Sequence, residues 1–107
     1  MSALVVFCTC PDAATAARLA KTLVDERLAA CVNAIGGVAS TYRWNDEVHV
    51  DDEVLLVIKT TADRFDAMQS RLVALHPYDV PEFVVLDIER IEGPYRQWLI
   101  TAVESDA

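Results

Sequence analysis

Apolar and polar positions change rhythm several times along the chain. Residues 3–10, ALVVFCTC, are a short apolar run rich in Val and Phe that stops at Pro11, which predicts a strand rather than a helix. From Pro11 and Asp12 the spacing lengthens. Ala16, Leu19, Ala20 and Leu23 fall at i, i+3, i+4 and i+7, while Arg18, Lys21, Asp25 and Glu26 take the other faces, so residues 12–30 are expected to form an amphipathic helix. A strand follows from about Cys31, bent at Gly36 and Gly37 and resuming through Val38 to Trp44. Asn45 and Asp46 supply a type I′-like turn, with Asp where Gly is more usual, and residues 47–61 run back as a long strand. Phe65, Met68, Leu72 and Leu75 mark a second amphipathic helix. It must end at His76, because a residue that precedes proline is excluded from the α region, and Val80 before Pro81 is extended for the same reason. Residues 82–91 alternate as a last strand, and a short tail helix from about Pro94 to Val103 carries Trp98 and Leu99.

The order β-α-β-β-α-β with an appended helix is the split βαβ pattern of ferredoxin-like folds, an α+β class, in one domain spanning residues 1–107. Two helices cover only one face of such a sheet. Three strands nevertheless carry apolar residues on both faces: Val5 and Phe7 against Leu4 and Val6, Leu55 and Val57 against Leu56 and Ile58, Phe83 and Val85 against Val84 and Leu86. At about 25 cal/mol per Å² of apolar surface, leaving one face in water forfeits several kcal/mol, and a patch of that size is rare on soluble monomers. Identical subunits packing these second faces together are the expected cover. The alternative is that the tail helix folds back over the face.

Composition narrows the partners. Nine Lys and Arg against 17 Asp and Glu give a net charge of -8, which repels nucleic-acid phosphates and anionic membranes. The apolar opening stops far short of the roughly 20 residues a membrane span needs, and no basic residue precedes Arg18, so a cytoplasmic protein is expected. Three cysteines, an odd number, do not make a disulfide framework, and reduced thiols follow.

Cys8 and Cys10 lie at i and i+2, so both thiols point to one side of a strand, and with His76 they form a soft-metal set suited to copper or zinc. Cys31 and Cys8 are read first as small buried hydrophobes, and Cys10, at a strand end beside Pro11, is expected to be the exposed thiol. Tyr42 and Trp44 share a strand face and are placed to wall a pocket. Lys59 would add a positive charge there, and Glu82, in the same loop as His76, would orient or protonate the imidazole. The bland counterpart is that the prolines set a crossover angle, Lys59 snorkels and the aromatics fill an interface. His49, on an acidic hairpin with Glu47, Asp51, Asp52 and Glu53, reads as a solvated residue beside a run that binds hard cations loosely.

Six blocks, CTCPD, LAACVN, STYRW, IKTT, HPYDVPE and YRQW, occur in one order across essentially the whole chain and resemble the divalent-cation tolerance protein CutA family. The resemblance implies a ferredoxin-like subunit in a tight homotrimer of PII-like architecture, tolerance to copper and other divalent metals, and no established catalytic reaction. It implies copper ligands at Cys8 and at His76, with Leu75 standing where the family pattern has a further histidine. If strand 40–44 reaches a neighbouring subunit, then Tyr42, Trp44, Lys59, His76 and Glu82 meet at an intersubunit cleft. The leading expectation is a non-catalytic trimer that binds copper, another divalent metal or an anionic metabolite at three equivalent clefts. Its alternatives are a PII-like metabolite sensor and a trimeric assembly scaffold. An acylphosphatase-like enzyme is disfavoured because the GG pair sits mid-strand with no neighbouring Arg, and no Ser-His-Asp order or HExxH appears. RNA binding is disfavoured by the acidic charge and the missing surface aromatic pair.

Overall fold

In the computed structural model, residues 2–104 are described. The elements are β1 (Ala3–Cys10), α1 (Ala13–Asp25), β2 (Cys31–Trp44), β3 (Glu47–Thr61), a single 3₁₀ turn (Ala62–Arg64), α2 (Phe65–Leu75), β4 (Val84–Asp87) and α3 (Gly93–Ala102). The sheet order is β2-β3-β1-β4, antiparallel at every pairing, which is the ferredoxin-like arrangement.

Alternation along the strands builds the core. Val6, Cys8, Leu56 and Ile58 point to one side and are sealed by Ala16, Leu19 and Leu23 of α1 and Met68 and Leu72 of α2. Each large side chain removed from water in this way contributes roughly 1.5–3 kcal/mol. Asp12 starts α1 by accepting a 2.7 Å hydrogen bond from the Thr15 amide, which satisfies one of the orphan donors of the first turn.

Helix α1 ends at Asp25, five residues before the expected boundary. Arg27 adopts φ +58, and the amides of Leu28 and Ala29 both return to the Leu23 carbonyl. Leu28, Ala29 and Ala30 extend the apolar stripe in sequence, but they reach the core only by reversing the chain, and they lead straight into β2. The last strand is likewise shorter than expected, four residues instead of ten. Its partner limits it: β1 begins at Ala3, whose carbonyl takes the Ile88 amide, and among the described residues no strand precedes Ala3 for β4 to pair with. At its other end Phe83 turns into the core against Phe65.

Helix α3 covers only one end of the second face. Leu99 and Val103 pack on Ala3 and Ala30, with Ile88 and Ile91, at the end of the sheet. Val5, Phe7, Leu55 and Val57 therefore face outward, only half-buried, beside the exposed Ile35, Val84 and Leu86. The β2–β3 hairpin adds to this open surface. Residues 38–53 pair only with each other, beyond the reach of β1, and close through Asn45 and Asp46 at φ +51 and +63. Between Ile35 and Val38 the register shifts, with Gly37 at φ +75. This bulge matters for the site, because it changes which β2 residues face outward. Before it they are Cys31, Asn33 and Ile35; after it they are Val38, Ser40, Tyr42 and Trp44.

Among the described residues, no helix is long and apolar enough to cross a membrane.

Candidate functional site

The proline steps do fix a histidine at a junction. His76 caps α2 with φ −72 and ψ 136, its amide still bonded to the Leu72 carbonyl, and its ring turns inward until only 7% of the residue is exposed. Both ring nitrogens have partners. The Tyr78 amide donates to Nδ1 at 3.1 Å, so the proton of the neutral ring belongs on Nε2, which donates to the Thr9 carbonyl at 2.9 Å. The Tyr78 ring leans on the imidazole, with centroids 4.8 Å apart, and its hydroxyl donates to Glu53 at 2.8 Å. His76 thus ties the end of β1 to the loop that follows α2, and Tyr78 ties that loop to β3.

Cys8 and Cys10 lie on the helix-covered side of β1, and both are fully buried. Cys10 is therefore not the exposed thiol expected from its place at a strand end: Val54 opposite it in β3 continues the sheet, and the core closes over both. Cys31, expected to be buried, is the half-exposed one, because its position in β2 faces the open side. A ligand atom from each of Cys8, Cys10 and His76 lies within 4.8 Å of the others. Two soft sulfurs and one imidazole suit copper or zinc, and a triangle of that size has a point within about 2.8 Å of every corner, against ~2.3 Å for a metal–thiolate bond. The residues fit a soft metal ion after small movements and the exchange of one His76 hydrogen bond. The neighbouring Cys10 thiol and then burial push Cys8 well above its ordinary value, while the Cys8 thiol lowers Cys10.

On the opposite face of the sheet, the loop at residues 77–82 borders an open cavity of about 770 Å³. Its walls include Thr9, Tyr42, Trp44, Tyr78, Asp51, Glu53, Asp79 and Glu82, and no Lys or Arg lines it. The bulge delivers Tyr42 and Trp44 to this side, and parity with Leu55 delivers Glu53 and Asp51. The Tyr42 hydroxyl donates to Asp51, which raises its phenol above the ordinary value, and the Tyr42 ring stacks on His49 at 5.6 Å. Burial, then the hydrogen bond to Glu53, pushes Tyr78 up. Burial, then the charge of Glu53, does the same to Glu82. A second cavity, about 720 Å³, lies by Ser2, Asp87 and Arg90 and holds none of the candidate residues.

Of the residues singled out from sequence, Tyr42, Trp44 and Glu82 thus line one cavity within a single chain. His76 stands behind Tyr78, outside that lining. Lys59 is on the same face of the sheet, but its ammonium donates to Asn33 at 2.6 Å near the other end of β3. His49 is half-buried rather than fully solvated, because of the Tyr42 stack. Thr9, Asp51 and Glu53 were missed as wall residues. Strand parity alone, counted from Leu55, would have put the two acids on the face of Tyr42 once the bulge was allowed for.

A ferredoxin-like α+β domain with a buried thiol–imidazole cluster behind an acidic, aromatic-walled cavity is the class of molecule these observations define. The family described as CutA1 divalent ion tolerance protein matches residues 4–102, and the chain belongs to that family. The divalent-cation tolerance protein CutA of Thermus thermophilus is 50% identical over 95 residues, 89% of this chain and 92% of that one. The human protein CutA is 39% identical over 99 residues, and the match spans about half of that longer chain, 55%. Among solved structures, the Thermus thermophilus protein superposes with a TM-score of 0.92 at 46% identity, covering 95% of this chain and 99% of that one. CutA from Xylella fastidiosa gives 0.94 at 38% identity, covering 97% and 100%.

Proposed function

We propose that this chain is a non-catalytic, homotrimeric divalent-cation tolerance protein of the cytoplasm that responds to metal by binding it, with copper as the leading ion. The observation that carries the metal reading is the convergence of Cys8, Cys10 and His76 within 4.8 Å. Cys8 and His76 would hold the ion, in a compartment where thiols stay reduced. The trimer is supported by the open apolar face and by the hairpin, since a two-stranded ribbon bearing the exposed Tyr42, Trp44, Val48 and Val50 is marginal by itself.

Equilibrium dialysis of the reduced protein against copper tests the metal reading. Cys8→Ser and His76→Ala should each weaken binding relative to wild type, with Cys31→Ser unchanged. Equal affinity in all four proteins would remove the metal role.

The cavity favours a second reading, a PII-like sensor of a small molecule. Three aromatic rings and four carboxylates with no basic wall residue suit a cationic or amine ligand rather than the anionic one expected from sequence. Quenching of Trp44 fluorescence on titration with simple amines is the corresponding measurement, and a flat titration would discard this reading.

A further inference from the structure

We infer that Cys10 is the third ligand beside Cys8 and His76, and that the resulting two-sulfur, one-nitrogen site selects Cu(I) over Cu(II). The inference rests on the reading that metal is held at Cys8 and His76, and it concerns which ion that site takes and through which third ligand.

Strand geometry supplies the extra sulfur. Cys8 and Cys10 are one pleat apart on the same side of β1, paired with Leu56 and Val54, and both are sealed from solvent. Leu75, the last residue of α2, is a half-buried hydrophobe packed against the core and offers no donor. Among the described residues the buried donor set is therefore two thiols and one imidazole. The carboxylates of Glu53 and Glu82 line the cavity on the other face of the sheet and are not members of the set.

This donor set decides the ion. Cu(II) prefers tetragonal nitrogen and oxygen coordination, and structural zinc asks for four ligands. Cu(I) accepts soft thiolates. Each metal–sulfur bond forms as a thiol proton leaves for solvent, with no change in oxidation state, so Cu(I) must be supplied as such. The tautomer in place points to Nδ1 of His76 as the nitrogen ligand. Its lone pair is then exchanged from the Tyr78 amide to the ion, while Nε2–H keeps the Thr9 carbonyl, the outer hydrogen bond that orients metal-binding histidines. Loading therefore releases the amide of Tyr78, whose ring and hydroxyl wall the cavity and hold Glu53.

The test is an anaerobic titration of the reduced full chain with Cu(I), in competition with bathocuproine disulfonate. Wild type should take one Cu(I) per chain, with ultraviolet thiolate-to-copper absorption, and should lose the Tyr78 amide resonance from its apo position. Losing an outer-shell partner typically weakens a metal site about 10–100-fold, so Cys10→Ser, which loses a ligand, should weaken Cu(I) by about 100-fold or more. Cys31→Ser should leave binding unchanged. X-ray absorption of Cu(I)-loaded wild type needs no variant to fold and should count two sulfurs at about 2.3 Å. One sulfur, or a Cys10→Ser protein that binds as tightly as wild type, overturns the inference. If Cu(II) still binds through Cys8 and His76 in that case, the metal reading survives; if neither oxidation state binds, both fall.

Discussion

Leu56 and Val57 are neighbours in β3, yet Leu56 is sealed beneath two helices while Val57 lies on the outward side of the sheet among half-buried and exposed apolar residues. The same contrast runs through β1, with Val6 and Cys8 inside and Val5 and Phe7 outside. The apolar strand residues do not distinguish the two sides. What differs is that α1 and α2 satisfy one side within the chain, whereas α3 reaches only the end of the other, at Ala3, and leaves the rest of it without a cover. The covered side holds the thiols and the imidazole in a dry, rigid setting. The open side holds the cavity, its four carboxylates and Lys59.

Substitutions on the two sides should therefore fail differently. The largest effect is expected from Val57→Asp. An unpaired carboxylate caught between chains costs more than neighbouring contacts return, so the assembly should fall apart into folded single chains with near-normal far-ultraviolet circular dichroism. An intact assembly in this variant would mean that the outward face is not the interface. Leu56→Ala should cost about 2–5 kcal/mol in denaturant unfolding while the subunit count stays the same, because the cavity it leaves is inside one subunit. The smallest effect is electrostatic. Glu82 is raised above its ordinary 4.5, so the folded protein holds that proton more tightly than the unfolded chain does. This contribution is fully present below pH 4.5 and is lost as pH rises through the folded value. Glu82→Gln should match wild type at low pH and become the more stable protein as pH rises toward neutrality. Superimposable midpoints for the two proteins across that range would contradict the sign.

Much of this was legible in sequence, and the misses share a cause. Periodicity placed the long strands, the Asn45–Asp46 turn and the end of α2 at His76, because each is set by local chemistry: alternation, positive φ and the pre-proline restriction. The end of α1 was hidden. Arg27 turns the chain where neither Gly nor Pro marks a stop, and Leu28, Ala29 and Ala30 keep the helical stripe going although they serve the core from a turn. The length of β4 depends on where β1 begins, a property of a distant segment. Cys10 looked exposed because Pro11 ends the strand, but helices packed over that end decide its burial. Glu53 stands in an acidic run on the hairpin, yet it is almost wholly buried as the acceptor of the Tyr78 hydroxyl. Local rules gave the elements, while burial at the site came from long-range packing.

The central claim is that the outward face of the sheet is closed by further copies of the chain, and the particle mass in solution addresses it most directly. Light scattering or sedimentation at micromolar concentration should give three times the 11.8 kDa of the single chain, unchanged on moderate dilution. A stable, folded particle of 11.8 kDa under the same conditions would contradict it.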